Sequence, residues 1–454
     1  MVASVASRNT NPHITEHDAV NKEMKDILVA GSALFAMFFG AGNLIFPPAL
    51  GFLAGKNWFF CMLGFFMTGV GLPILGVAAL AIRGGSLECF AGKVSITFAK
   101  VMGLIVVLAI GPLLAIPRTG ATVYEIGIKP MWPSIPPLAI SIVFFAVTLF
   151  FVIKPSTIID KIGKYLTPAL LLIIALIVAK GIFFPIGTPQ QTGLEMALSK
   201  GFVEGYQTMD ALASILFAGL VLKAFVDKGY ATKSQQLRLT CMAGLVAGAG
   251  LMFVYGGLLY LGATATPLFE AGISRADLIV SITGRILGWA GQGAMCLAVS
   301  AACLTTAIGL TAVVGSYLEN ISKGKLAYRP VVIATALFST LISVSGVEQI
   351  VTLSVPLLII AYPVVIVLIA LTLAGANLSP AIYRGAVVGA LLVSICNALT
   401  VLKVDTGKLG ELVSGLPLAD SGFGWILPAL VLAGLCEGVR LLLSASSEQK
   451  GLKA

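Results

Sequence analysis

Charge is scarce in this chain. Asp, Glu, Lys and Arg make up 11% of its 454 residues, where a soluble domain carries about 25%. Histidine is scarcer: His13 and His17 are the only two, both in a polar N-terminal stretch. A histidine-based active site or metal centre inside the apolar body is therefore excluded. The seven cysteines include no CxxC pair and lie mostly inside apolar runs, so they read as small buried residues and neither a disulfide frame nor a metal site. No GxxxxGK[ST] run occurs, which leaves nucleotide-driven chemistry without its phosphate loop. Residues 1–25 lack the early apolar core of a signal peptide and are expected to form a polar tail, with a second tail at 446–454.

What fills the chain is apolar: 58% of its residues are hydrophobic. A surface so poor in charge must face something other than water. A bilayer core about 30 Å thick takes a helix of roughly 20 apolar residues. Twelve such stretches are found, at 27–53, 57–82, 97–119, 136–154, 163–184, 201–224, 237–263, 289–318, 330–345, 349–374, 382–402 and 423–444. The alternating ten-residue segments of a membrane β-barrel are absent. The sequence thus predicts an all-α integral membrane protein, with about twelve transmembrane helices in one domain at 26–445.

The net charge is +9, but the basic residues sit in short loops without interleaved aromatics, which argues against nucleic acid as a partner. Loops on the side of the N-terminus hold 20 of the 29 Lys and Arg residues, a bias that places both termini in the cytoplasm of a multi-pass cell-membrane protein. On the opposite side, Thr266 to Leu287 carries Glu270, Arg275, Asp277 and Arg285. It is too charged to cross and is expected to form a short helix over the outer vestibule.

Two spans resist being plain helix. Phe39-Gly40-Ala41-Gly42-Asn43-Leu44-Ile45-Phe46-Pro47-Pro48 lies midway along the first, and Glu204-Gly205-Tyr206-Gln207-Thr208-Met209-Asp210 lies in the sixth. Unwound backbone survives at membrane depth only where it is buried in protein or lines a site. Its freed N–H groups attract anions and its freed carbonyls attract cations. The two spans are five apart, and two five-helix repeats of inverted topology, about 27–184 and 201–374 with two further helices at about 382–444, would make them equivalent. Close helix packing is the plainer use for the glycines. In the eighth span Ala302, Thr305 and Thr306 share one helix face. Two hydroxyls beside backbone carbonyls suit a weakly bound monovalent cation, although Thr in such helices also bonds its own preceding turn. Asp210 has three readings: a partner for a substrate ammonium, a proton carrier, or a pin for the unwound backbone. Arg118 and Glu125 are a candidate outer-gate pair.

Gly40-Ala41-Gly42-Asn43-Leu44-Ile45-Phe46-Pro47-Pro48 resembles the signature of the bacterial branched-chain amino acid:cation symporters, the BrnQ family. Gly111-Pro112-Leu113-Leu114-Ala115-Ile116-Pro117-Arg118-Thr119, Gly205 to Ala213 and Ala302 to Gly309 resemble it too, and the likeness runs from about residue 25 to 445. The family is similar to the LeuT-type transporters of five-plus-five inverted repeats.

The resemblance implies uptake of leucine, isoleucine and valine across a lipid bilayer, with Na+ as the coupling ion, no other cofactor and no enzymatic activity. By the same resemblance the Na+ ligands are the carbonyls of Ala36, Phe39 and Ala302 and the hydroxyls of Thr305 and Thr306. The substrate carboxylate meets backbone N–H groups around Gly40, Ala41 and Gly42. Its ammonium meets carbonyls around Tyr206, Gln207 and Thr208, and Asp210. The wider fold places a second sodium on an Asn of the first helix, a Thr of the sixth and an Asn of the seventh. Asn43 and Thr208 fit, but the seventh span has no Asn; Asn43 is alternatively a cap. The rival readings are a proton-coupled symporter, a carrier of another small apolar amino acid, and, from other classes, an intramembrane enzyme or a sensor. The sequence does not specify the oligomeric state.

Overall fold

A computed structural model of the chain describes residues 16–451 other than 86, 154–157, 271 and 376. Residues 1–15 of the expected N-terminal tail, 452–454 of the C-terminal tail and residues 154–157, the first of them the end of the fourth expected stretch, lie outside the described residues. Every described element is helical. α1 (Glu16–Phe38) and α2 (Ala41–Ala54) are separated at Phe39-Gly40. α3 (Trp58–Phe66) and α4 (Leu72–Ile82) form one rod through a π turn at Met67–Gly71. A short α5 (Leu87–Ala91) leads to α6 (Ile96–Leu108), which passes through a π turn at Ala109–Leu113 into α7 (Ala115–Thr122). α8 (Pro137–Ile153) and α9 (Ile158–Phe183) follow. α10 (Ala197–Glu204) and α11 (Asp210–Asp227) are joined by a 3-10 turn. Then come α12 (Lys233–Thr264), α13 (Arg275–Ile321), α14 (Tyr328–Ser343), α15 (Val347–Ala374), α16 (Pro380–Val401), the short α17 (Gly407–Ser414) and α18 (Ile426–Gly451).

All twelve expected stretches fall on helix, but they do not all make full-length spans. Among the described residues seven helices are long and apolar enough to cross a bilayer, and eight if the bent pair α10–α11 is one span. The stretches expected at 136–154, 163–184 and 330–345 contain shorter apolar helices, Pro137–Ile153, Leu170–Phe183 and Tyr328–Ser343. The outward face is greasy: Phe150, Leu172, Leu341 and Leu442 are each more than 60% exposed. Large apolar side chains exposed in this way belong against lipid.

The breaks arise where continuing the helix leaves backbone groups better served elsewhere. The Gly40 N–H, which an unbroken helix aims at the Ala36 carbonyl, donates instead to Asn43 Oδ1 at 3.2 Å. Asn43 therefore caps α2, in line with its plainer reading. The prolines do not make the break: α2 runs through both Pro47 and Pro48, whose missing N–H groups release the carbonyls of Asn43 and Leu44 from helical bonding. In the sixth stretch Met209 adopts a left-handed conformation, φ 63°, and the chain bends by 48°. α13 kinks at Gly288 (φ 65°), so Arg275 to Leu287 is an arm set off from the long membrane helix, where a short helix is expected from the sequence.

The third stretch departs from expectation. The sequence predicts one helix ending near residue 119, but the helix breaks at Gly111 (φ −89°, ψ −125°) and continues as far as Ile128. Close packing fixes α2 against α12. A Cβ on Gly51 would stand 1.8 Å from the Leu259 carbonyl oxygen, and one on Gly262 would stand 1.9 Å from that of Pro48. The backbones touch in both directions, which only side-chain-free positions allow.

Candidate functional site

The breaks in the first and sixth stretches face one small cavity of about 30 Å³, room for roughly two waters. Residues 40–43 supply one wall and 208–210 another, with Arg118 and Thr306 between them. Apolar side chains close the rest: Phe38, Ile110, Phe217 and Leu310, drawn from the first, third, sixth and eighth stretches. The polar wall is backbone and fixed charge while the remainder is hydrocarbon, a division that suits a small molecule with a polar head and an apolar tail.

Asp210 opens α11 and is 2% exposed. Its Oδ2 accepts hydrogen bonds from Asn43 Nδ2 at 2.8 Å and from the Tyr255 hydroxyl at 2.7 Å. Its backbone N–H donates to Thr208 Oγ1 at 3.3 Å. Asn43 Nδ2 also donates to the Tyr255 hydroxyl. One network thus joins both breaks to α12. It also fixes the Asn43 amide: Oδ1 faces the Gly40 N–H and Nδ2 faces the carboxylate, an orientation set by partners on both sides. The sequence alone does not single out Tyr255, because a tyrosine in an apolar run reads as packing. The glycines that follow it, Gly256 and Gly257, point to close helix contact and give no signal of a buried acid nearby.

Arg118 is 3% exposed. Its Nη1 donates to the Gln207 carbonyl at 2.9 Å, and its guanidinium lies 5.2 Å from the Phe46 ring centre. It does not pair with Glu125, which instead accepts the Val347 N–H at 3.0 Å. The expected gate pair is corrected accordingly. Because the third stretch runs on to Ile128, Arg118 sits inside the molecule and Glu125 further along the same helix.

The latch on that side is built around Arg275. It hydrogen-bonds Glu348 at the start of α15, lies 3.7 Å from Glu204 at the end of α10, and places its guanidinium 5.6 Å from the Phe46 ring centre. Phe46 therefore carries two guanidinium contacts, from Arg118 and Arg275. A second latch lies on the N-terminal side, beyond α11, whose 18 residues span about 27 Å. There Lys228 meets Asp26 at 2.6 Å, the Tyr230 hydroxyl donates to Asp26 at 2.9 Å, and Arg238 pairs with Glu23. Burial pushes the Asp26 carboxyl up, but the Lys228 and Tyr230 hydrogen bonds and the lysine charge outweigh it and hold it below the usual range. Burial and the Asp26 bond raise Tyr230 to about 12, so its phenol stays a donor.

Of the residues expected to hold a cation, Thr306 donates to the Phe39 carbonyl at 3.3 Å and Thr305 to the Ala302 carbonyl at 2.9 Å. The end of α1 and the middle of α13 thus meet through oxygens. The Gly40 N–H does not return to the Ala36 carbonyl, since it donates to Asn43. Tyr206 and Gln207 are not among the cavity-lining residues. The Tyr206 ring stacks on Tyr362 with centres 4.2 Å apart, and Gln207 Oε1 accepts from Ser354 at 2.9 Å. No cluster of three His, Cys, Asp or Glu side chains able to hold a metal occurs among the described residues.

Residues 23–440 match the family described as branched-chain amino acid transport protein. The chain is 38% identical over 436 residues to the branched-chain amino acid permease BraB of Bacillus subtilis, covering 94% of this chain and 98% of the permease. It is 36% identical over 422 residues to the branched-chain amino acid transport system 2 carrier protein of Pseudomonas aeruginosa, covering 91% and 96%. Among solved structures it is similar to MHP1, a nucleobase-cation-symport-1 family transporter (TM-score 0.62, 14% identity, 90% and 91% of the two chains). It is also similar to a Na+-coupled sialic acid symporter (TM-score 0.55, 16% identity, 90% of each chain). At such identities the likeness establishes the fold, the LeuT-type arrangement expected from the sequence.

Proposed function

The chain belongs to the branched-chain amino acid transport protein family, and from that premise we propose that it imports leucine, isoleucine and valine by Na+ symport through alternating access. The observation that carries this reading is the cavity at which both helix breaks meet, with the α2 N-terminus on one wall and the Asp210 carboxylate on another. A zwitterion needs a positive and a negative partner about one amino-acid head apart, and helix termini flanking a break supply them. The side chain of the substrate then lies against Ile110, Phe217 and Leu310.

The Na+ ligands in this reading are the carbonyls of Ala36, Phe39 and Ala302 and the hydroxyls of Thr305 and Thr306. Oxygen-only ligation suits a hard cation. Two of these hydroxyls now bond two of these carbonyls, so Na+ replaces weak hydrogen bonds and ties α1 to α13. The Asn43 oxygen accepts the Gly40 N–H, so in this reading Asn43 serves as a cap, and the proposal names one Na+ site. In this reading both latches are closed. Release of the Arg275 latch admits substrate and Na+, and release of the Asp26 latch delivers them. A membrane potential adds about 2.3 kcal/mol per charge per 100 mV. The protein sits in the cell membrane with both termini cytoplasmic, as its loop charges favour.

The test is uptake of labelled leucine into proteoliposomes under an inward Na+ gradient and with K+ in its place. Accumulation with Na+ alone supports the proposal. Equal accumulation in K+ driven by a pH gradient keeps the carrier and replaces sodium by protons, with Asp210 as their carrier. Binding without flux makes the protein a sensor.

A further inference from the structure

We propose that Arg118 binds the carboxylate of the amino-acid substrate, acting together with the N-terminus of α2. The proposal rests on reading the cavity as an amino-acid site and names the residue that recognises one end of the ligand. Arg118 is a buried cation whose donors are largely unused. Its guanidinium has five N–H groups, yet among the described residues it makes one hydrogen bond, to the neutral Gln207 carbonyl at 2.9 Å. Its Nε is buried with no partner. A buried charge is normally paired, and among the described residues no hydrogen bond joins Arg118 to the neighbouring Asp210, whose Oδ2 accepts from Asn43 and Tyr255.

The Nη2 end of the guanidinium lies beside a place already prepared for an anion. Arg118 lines the cavity beside Gly40, Ala41 and Gly42. These residues open the 14-residue α2, whose first-turn N–H groups have no helical acceptor. The guanidinium is pressed onto that turn: a Cβ on Gly42 would stand 2.7 Å from Arg118 Nη2. Two positive groups, one a fixed charge and one a helix end, therefore converge on one point. A carboxylate takes a guanidinium through two parallel N–H bonds and still offers lone pairs to the backbone. Arg118 then bridges substrate and Gln207 carbonyl, so binding of the head group links α7 to the break between α10 and α11.

The test is equilibrium binding to the purified full-length protein in Na+, using labelled leucine and competition by leucinamide, which carries a neutral amide in place of the carboxylate. Wild type prefers leucine. Arg118→Gln weakens leucine roughly 10- to 100-fold, the loss expected for one charge-assisted bond, and leaves leucinamide nearly unmoved, so that the two ligands bind alike. Arg118→Lys keeps the charge without the fork and falls between. Gly42→Ala crowds the guanidinium and shifts the preference in the same direction. If Arg118→Gln fails to give a cooperative melt, the lysine and alanine variants carry the comparison. Equal weakening of both ligands, or a leucine preference that survives substitution, overturns the proposal and makes Arg118 a prop for Gln207. A wild type that binds neither ligand instead removes the reading of the cavity itself, and the proposal with it.

Discussion

Replacing Thr306 by valine removes one oxygen from the junction of α1 and α13 and keeps the shape of the side chain. What the fold loses is small. The hydroxyl donates to the Phe39 carbonyl at 3.3 Å, the long end of the range, and a neutral bond of that kind contributes about 0.5–1.5 kcal/mol at most. In a chain this large such a change moves the melting temperature by roughly 2 °C or less. What a cation loses is larger. A polar group facing a full charge contributes about 1.5–3 kcal/mol, which weakens ion binding about 10- to 100-fold. The variant should therefore reach the membrane, melt within a few degrees of wild type, and need far more Na+ for half-maximal leucine uptake. Assayed in proteoliposomes over a Na+ titration, with choline balancing ionic strength, the two effects separate. An unchanged Na+ dependence would refute the reasoning, since a hydroxyl whose loss the ion does not feel is not a ligand. A large fall in melting temperature would refute the other half, by making Thr306 a structural bolt.

Three further outcomes follow from the same geometry. Asp210→Asn severely weakens leucine uptake while membrane abundance holds, and unchanged transport kinetics would rule out a direct role for the carboxylate. Tyr255→Phe deletes the donor to Asp210 Oδ2 and strands one Asn43 proton, so leucine affinity falls about tenfold by the strength of a bond to a charged group; saturation binding checks it. The Asp26 latch has a pH sign: because its carboxyl is held below the usual range, its contribution is full above the ordinary aspartate value and disappears as the pH falls through the folded one. A melting profile against pH should show this acid loss in wild type and lack it in Asp26→Asn.

The breaks in the first and sixth stretches are legible because glycine and acid in the middle of an apolar run contradict both helix propensity and membrane depth. The break at Gly111 carries a weaker signal, Gly111-Pro112, because no charge accompanies it. The consequence is electrostatic. With the third helix ended near residue 119, Arg118 belongs to a wet rim and finds a partner in Glu125; with the helix running to Ile128, it belongs to the interior. Glu204, Arg275 and Glu348 are far apart in sequence, and the fold brings them together. Tyr255 is hidden in the sequence for a different reason. The resemblance directs attention in the seventh helix to an amide as an ion ligand, whereas the polar group found there is a phenol bonded to Asp210, from a residue type that also packs.

In the proposed transport cycle the two latches, one around Arg275 and one around Asp26, stand in different solutions. Ion pairs weaken with salt over a screening length of about 8 Å at physiological ionic strength, so each latch answers only to the fluid on its own face. Raising ionic strength on one side alone tilts the resting population toward that side, whereas raising it on both loosens both latches together. The carrier's poise is thus a comparison between two compartments, a directional property that a detergent micelle, which bathes both faces in one buffer, averages away.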